Sequence, residues 1–172
     1  MRAWRRDGDV ARCSMLVDEA DLLATLGRQV LGLHRAVADG RAIADDPVMA
    51  RLYPAAYADP QDAAEFRRLA SVDIAGERIR SMTRMVADLE AALPTEVDGD
   101  EVELEVDAEG ADAWLRSLGE VRLVLHVRTS QEPGQLHPDV TDDDIAQFRD
   151  VADWVLFVQG TLLEALDGRI GG

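Results

Sequence analysis

The stretch EVELEV, Glu101–Val106, decides the fold class of a chain that otherwise reads as helix. Its glutamates and aliphatic residues alternate, so Glu101, Glu103 and Glu105 take one face of an extended segment and Val102, Leu104 and Val106 the other. This is a strand with one face in water. The rest of its sheet is sought at the N-terminus, where Asp7 and Gly8 suit a tight hairpin turn flanked by Trp4 and Val10. Arg2–Arg6 and Val10–Leu16 are read as its two antiparallel strands.

Elsewhere the apolar period is helical. Leu22, Leu23, Leu26, Val30, Leu33 and Val37 form one stripe over about residues 17–38, with Asp18 as the cap and Asp39 and Gly40 as the stop. Asp46 and Pro47 open a short helix that ends before Pro54, and Asp59 and Pro60 open a long one carrying Phe66, Leu69, Ile79, Met82, Val86, Leu89 and Leu93. Gly76 is a place where that helix could bend, and Pro94 closes it. Asp107 caps a fourth helix with Trp114, Leu118, Val121 and Leu125 on one face. The fifth, from about Asp142 to Leu166, carries Ile145, Phe148, Val151, Val155, Val158, Leu162 and Leu166 before Gly168. The expected fold is α+β and mainly helical: five helices and a small antiparallel sheet, in a single domain over residues 1–172.

The composition bounds the function. A chain of 172 residues with 47% hydrophobic and 30% charged side chains reads as one globular domain with one core. With 34 acidic against 18 basic residues, the net charge of −16 repels phosphate backbones and anionic membranes, so no nucleic-acid partner is expected. No apolar run approaches the roughly 20 residues of a membrane span, and MRAWRRDGD lacks the apolar middle of a signal peptide, so no membrane and a cytoplasmic location are expected. Cys13 is the one cysteine, which excludes an intramolecular disulfide and a cysteine metal cluster. Every basic residue is arginine, and lysine and asparagine are absent.

Motifs for chemistry are missing. His34, His126 and His137 share no metal-binding spacing, and there is no HExxH, GxSxG, GxGxxG or Walker loop. His34 and His126 read as helix-end histidines facing the negative end of the dipole; His137 sits in a loop without a visible partner. The acidic run TEVDGDEVELEVDAE lacks the ligand spacing of a calcium loop. No metal, cofactor or catalytic residue is assigned.

Two stretches stand out. ARLYPAAYADPQDAAEFRRL, residues 50–69, holds both tyrosines and two prolines and reads as a joint between helices first; Tyr53, Tyr57, Arg67 and Arg68 on it are candidates for binding a protein partner. Arg78, Arg80 and Arg84 farther along the same helix are candidates for binding an anion, against the simpler reading of local pairs such as Glu77 with Arg80 and Arg84 with Asp88. A further pattern links LLATLGRQVLGLH (22–34) to WLRSLGEVRLVLH (114–126), each after a strand and an aspartate, and suggests a duplicated strand–helix unit with Leu26 and Leu118 in related places.

VDEADLLATL, DPVMARLYPAAYADPQDAAEFRRL, ADAWLRSLGEVRLVL and ADWVLFVQGTLLEAL, in that order behind an arginine-rich first strand, resemble an uncharacterised actinobacterial family classed as a domain of unknown function. The resemblance runs over nearly the whole chain, with AEFRRL its most specific part. It implies an intracellular protein, often encoded beside the adaptor that delivers N-end-rule substrates to the Clp protease, and carries over no catalytic residue. The resulting expectation is a non-catalytic interaction or regulatory protein linked to regulated proteolysis, with a protein partner and a homodimer left open. The alternative is a small-molecule-binding protein or enzyme using the arginine-rich helix face.

Overall fold

The computed structural model describes residues 1–41, 46–54, 60–94, 101–130 and 141–168, with side chains of 60–72 outside that description. Strands β1 (Arg5–Asp7), β2 (Val10–Leu16) and β3 (Glu101–Val106) form an antiparallel sheet in that order, and helices α1 (Val17–Ala38), α2 (Pro47–Leu52), α3 (Pro60–Ala92), α4 (Ala108–Thr129) and α5 (Asp142–Leu166) complete the described chain. The fold is the expected α+β type: five helices, an N-terminal hairpin and one mid-chain strand.

The alternation in EVELEV does what its period implies. Ala11 pairs with Val106, Cys13 with Leu104 and Met15 with Val102, all six buried on the inner face. Arg12 pairs with Glu105 on the outer face, where its guanidinium lies 2.7 Å from that carboxylate and 2.9 Å from Asp7. Between Asp7 and Val10 the loop is Gly8–Asp9, and Gly8 takes the φ of +63° that a two-residue hairpin needs.

The first strand differs from the sequence reading of Arg2–Arg6. It runs over Arg5–Asp7, and Asp7 belongs to the ladder rather than the turn. Trp4 breaks the exposed row by entering the core fully, while the Arg2 amide still donates to the Ser14 carbonyl at 2.7 Å. The cap of α1 differs too. Strand β2 passes into α1 without a linker, so the boundary residue is Leu16, whose amide donates to the Glu19 carboxylate at 2.8 Å; Asp18 lies inside the first turn. Asp46, Asp107 and Thr141 accept from first-turn amides of α2, α4 and α5, as short polar side chains do at helix starts. Helix α3 passes Gly76 without a break.

The helices form a series, α1 on α3, α3 on α4 and α4 on α5, beneath the inner face of the sheet. Trp4 and Trp114 meet edge to face with centroids 5.3 Å apart, surrounded by Met15, Leu23, Met82, Met85, Leu89, Leu118 and Leu162. At Gly27, a Cβ would come 2.8 Å from Val86 Cγ2, so the absence of a side chain sets the closeness of α1 to α3. Two stripe residues depart from expectation: Leu22 and Phe148 are exposed. Phe148 lies in the first turns of α5, Asp142–Asp150, where no residue is buried. The strand–helix order β2–α1 is repeated by β3–α4, but the matched residues are not equivalent. Leu118 and Trp114 are fully buried where Leu26 and Leu22 are not, and His34 is buried where His126 is exposed.

Cys13 lies in β2 with its thiol pushed up to about 12 by burial, helped by the Glu103 charge, and Tyr53, just past α2, is pushed up to about 12 by burial, with Arg78 opposing. Both groups resist ionisation more in the folded chain than in the unfolded one, so the stability they contribute is present at neutral pH and is lost as pH rises from about 9 towards 12. With no lysine in the sequence, few other side chains titrate there. Urea denaturation between pH 8 and 11 is expected to show falling stability, and Cys13→Ala with Tyr53→Phe to flatten the slope.

Candidate functional site

Two sites emerge, one buried and one exposed. The buried one joins four elements through His34 on α1, Tyr53 after α2, Arg78 on α3 and Glu120 on α4. His34 is fully buried, with Nδ1 2.8 Å from the Tyr53 hydroxyl and Nε2 2.8 Å from Glu120 Oε2. A neutral imidazole satisfies both partners, accepting from tyrosine and donating to the carboxylate. Arg78 Nε lies 3.2 Å from Glu120 Oε1 as an ion pair, and its guanidinium lies 4.8 Å from the centroid of the Tyr53 ring. Arg78 Nη1 is buried without an oxygen partner among the described residues, and the ring face is the surface that offers it a weak acceptor.

Hydroxyl, imidazole and carboxylate in sequence have the connectivity of a nucleophile, its base and the group that orients the base. The electrostatics run the other way. Tyr53 is made harder to ionise, and the described cleft beside Glu120, about 390 Å³ and walled by Ile74, Glu77, Arg78, Ser81, Arg116 and Glu120, does not include Tyr53. What the cluster does in this geometry is fasten the end of α2 to three long helices.

The other arginines singled out in the sequence are engaged locally. Arg80 pairs with Glu77. Arg84 donates from Nε to both oxygens of Asp88, at 2.9 and 3.1 Å, and its Nη2 lies 3.5 Å from the Asp107 carboxylate that caps α4. Arg116 in the cleft wall pairs with Asp112 at 2.5 Å. Cleft charges of both signs therefore already have partners. A second concavity, about 310 Å³, gathers Arg2, Arg5, Arg6 and Arg12 with Asp7 and Glu103 at the sheet; there Arg2 pairs with Glu101, and Arg12 with Glu105 and Asp7.

The exposed site is the outer face of α5. Val155, Val158, Leu162 and Ala165 are buried, yet Leu156, Phe157, Leu163 and Phe148 on the same helix are 46%, 47%, 50% and 44% exposed. At about 100° per residue, Ile145, Leu156 and Leu163 fall within about 20° of one another, turned away from the buried residues of the helix, while Ala152 beside them packs against the core. Beside them runs an acidic row, Asp142, Asp153 and Glu164, each exposed and spaced by three helical turns. None of the three has an ion-pair partner among the described residues.

A family model described as a domain of unknown function, DUF2017, matches residues 1–166. The chain belongs to the DUF2017 family. No match is found among curated proteins or among solved structures. In this DUF2017 chain Tyr53 and Arg78, placed in separate groups by the sequence reading, come together with His34 and Glu120, whereas Arg80 and Arg84 do not join them. Tyr57 and His137, and the side chains of Phe66, Arg67, Arg68 and Leu69, lie outside the described residues. Among the described residues of the DUF2017 chain no group of three or more His, Cys, Asp or Glu side chains is placed to hold a metal ion, and no helix is long and apolar enough to cross a membrane.

Sequence reasoning missed Glu120 and the α5 face. Nothing local marks Glu120, whose partner His34 is 86 residues away. The α5 face left a signal: Leu156 and Leu163, seven residues apart, lie about 100° round the helical wheel from Val155 and Leu162 of the main stripe.

Proposed function

We propose that this DUF2017 protein is a non-catalytic cytoplasmic interaction protein that docks a protein partner on the outer face of α5. The observation that carries the reading is the apolar stripe of Leu156 and Leu163, continued by Ile145, on a helix whose Val155, Val158, Leu162 and Ala165 already fill the core. A contiguous apolar strip on a strongly charged protein is stabilised when a partner removes it from water. The regulatory role in an actinobacterial cell, linked to regulated proteolysis, follows the resemblance of the sequence and belongs to the same proposal. Tyr57, Arg67 and Arg68 remain candidate partner contacts from the sequence alone.

A second reading, a small-molecule-binding protein or enzyme, has the cleft beside Arg78 in its favour. Its charges are matched within the chain, which leaves little to attract a ligand by charge, and the α5 reading is preferred.

The test is in-cell crosslinking with mass spectrometry, comparing the native chain with the double variant Leu156→Asp, Leu163→Asp. Both positions are half exposed, so folding stability is expected to change by no more than about 0.5 kcal/mol per site. Partners crosslinked to α5 are expected to disappear. Undiminished recovery of the same partners from the folded variant removes the reading.

A further inference from the structure

We infer that the occupant of the α5 outer face is an amphipathic helix of another protein, with an apolar stripe bordered on one side by arginine or lysine. The inference rests on the reading of α5 as a docking face and adds the chemistry of what docks. Two independent features of α5 lead to it. The apolar stripe from Ile145 to Leu163 is about 27 Å long at 1.5 Å per residue, the length of a five-turn helix rather than of a small ligand. Leu156 follows Ile145 by eleven residues and Leu163 follows Leu156 by seven, spacings that return to one face of a helix and that a partner helix matches with anchors on its own facing stripe.

The second feature is charge. Asp142, Asp153 and Glu164 lie about 40° to 80° to one side of Leu156 at about 100° per residue, so the acidic row follows one edge of the stripe along its length. Asp167, exposed just past the end of α5, extends it. Helix α5 carries one cation, Arg149, which falls about 20° from Leu156 on this same edge, one turn before Asp153, and leaves the edge acidic on balance. Strand β1, which packs against α5, carries Arg5 and Arg6, while the chain as a whole keeps a net charge of −16. Carboxylates held in a row beside an apolar strip favour a partner with cations at the matching edge, which speeds encounter and fixes its direction.

The same geometry disfavours a second copy of this chain. If two α5 helices packed antiparallel about a twofold axis, both acidic rows would fall on the same side of the seam. If they packed parallel, Asp142, Asp143 and Asp144 of the two copies would adjoin. Either arrangement sets like charges against each other.

The test uses the full purified chain and three synthetic helical peptides of about 20 residues, long enough to span the stripe. All share one leucine stripe, and its border is arginine in the first, glutamine in the second and glutamate in the third. Fluorescence anisotropy is expected to show the arginine-bordered peptide binding at least about tenfold more tightly than the glutamine-bordered one, with affinity falling as salt rises. Leu156→Asp with Leu163→Asp is expected to abolish binding. Asp153→Arg with Glu164→Arg should remove the preference for arginine, whereas Asp73→Arg, an exposed reversal on α3, should leave it. Equal binding of all three peptides, lost in the leucine variant, keeps α5 as a docking face and overturns the basic partner. No binding of any peptide overturns the inference, as does sedimentation showing a dimer that the leucine variant dissociates, which would make a second copy the occupant.

Discussion

Trp114→Ala is expected to destabilise the chain by about 3–5 kcal/mol, a large part of the roughly 5–15 kcal/mol that holds a domain of this kind folded. Three effects combine. The indole is fully buried, so its removal leaves a cavity between α4 and the sheet. It is the edge-to-face partner of Trp4, which is equally buried and would lose a face of its packing. Its Nε1 donates at 2.9 Å to Asp88 Oδ2, and Asp88 in turn holds Arg84 at the start of α4. Urea denaturation followed by far-UV circular dichroism measures the loss. Trp114→Phe keeps most of the volume and deletes the donor, so it should cost about 1–2 kcal/mol. Equal losses for the two variants would mean that the Asp88 bond, not the packing, dominates.

The second large effect is expected at Glu120. Its carboxylate is the shared partner of His34 Nε2, by a hydrogen bond, and of Arg78, by an ion pair, so Glu120→Leu strands a buried imidazole and a half-buried guanidinium together. A loss of about 3 kcal/mol follows from removing one partner of a mostly buried charge pair. Glu120→Gln should recover only part of it. The amide has one acceptor oxygen for two donors, and its own amino group then faces one of them. Because His34 also bonds Tyr53, the variants should loosen the end of α2 before the rest, which hydrogen exchange at Val48–Leu52 can detect against the slower amides of β2. A leucine variant as stable as the native chain would show that the cluster is maintained by packing alone.

The sequence carried the architecture where local chemistry is decisive. EVELEV names its own strand because a period of 2 has no other reading, and Asp46, Asp107 and the residues around Asp142 announce helix starts because a short acceptor finds free amides only there. It was less informative where tertiary contacts decide. Trp4 looks like a strand residue among arginines, and only the presence of Trp114, 110 positions away, explains why it leaves the exposed row. Phe148 fits the core stripe of α5 by spacing, yet it belongs to turns that have no buried neighbours. For the sites the limit was sharper. His34, Tyr53, Arg78 and Glu120 are each unremarkable in the sequence and acquire meaning by meeting. Leu156 and Leu163 could have been found by asking which leucines the core does not need.

The outer glutamates of β3 have a consequence beyond solvation. β3 is the last strand of the sheet, so one of its backbone edges has no strand beside it among the described elements. A free edge invites another chain to add a strand. Were a second β3 to pair there antiparallel, Glu101, Glu103 and Glu105 of one chain would lie among those of the other, with no arginine between them. Toward β2, Glu101 and Glu105 are matched by Arg2 and Arg12. One row of side chains thus welcomes the hairpin of its own chain and turns away the strand of a neighbour, which protects the sheet against growing into an aggregate at the high concentrations of a crowded cell.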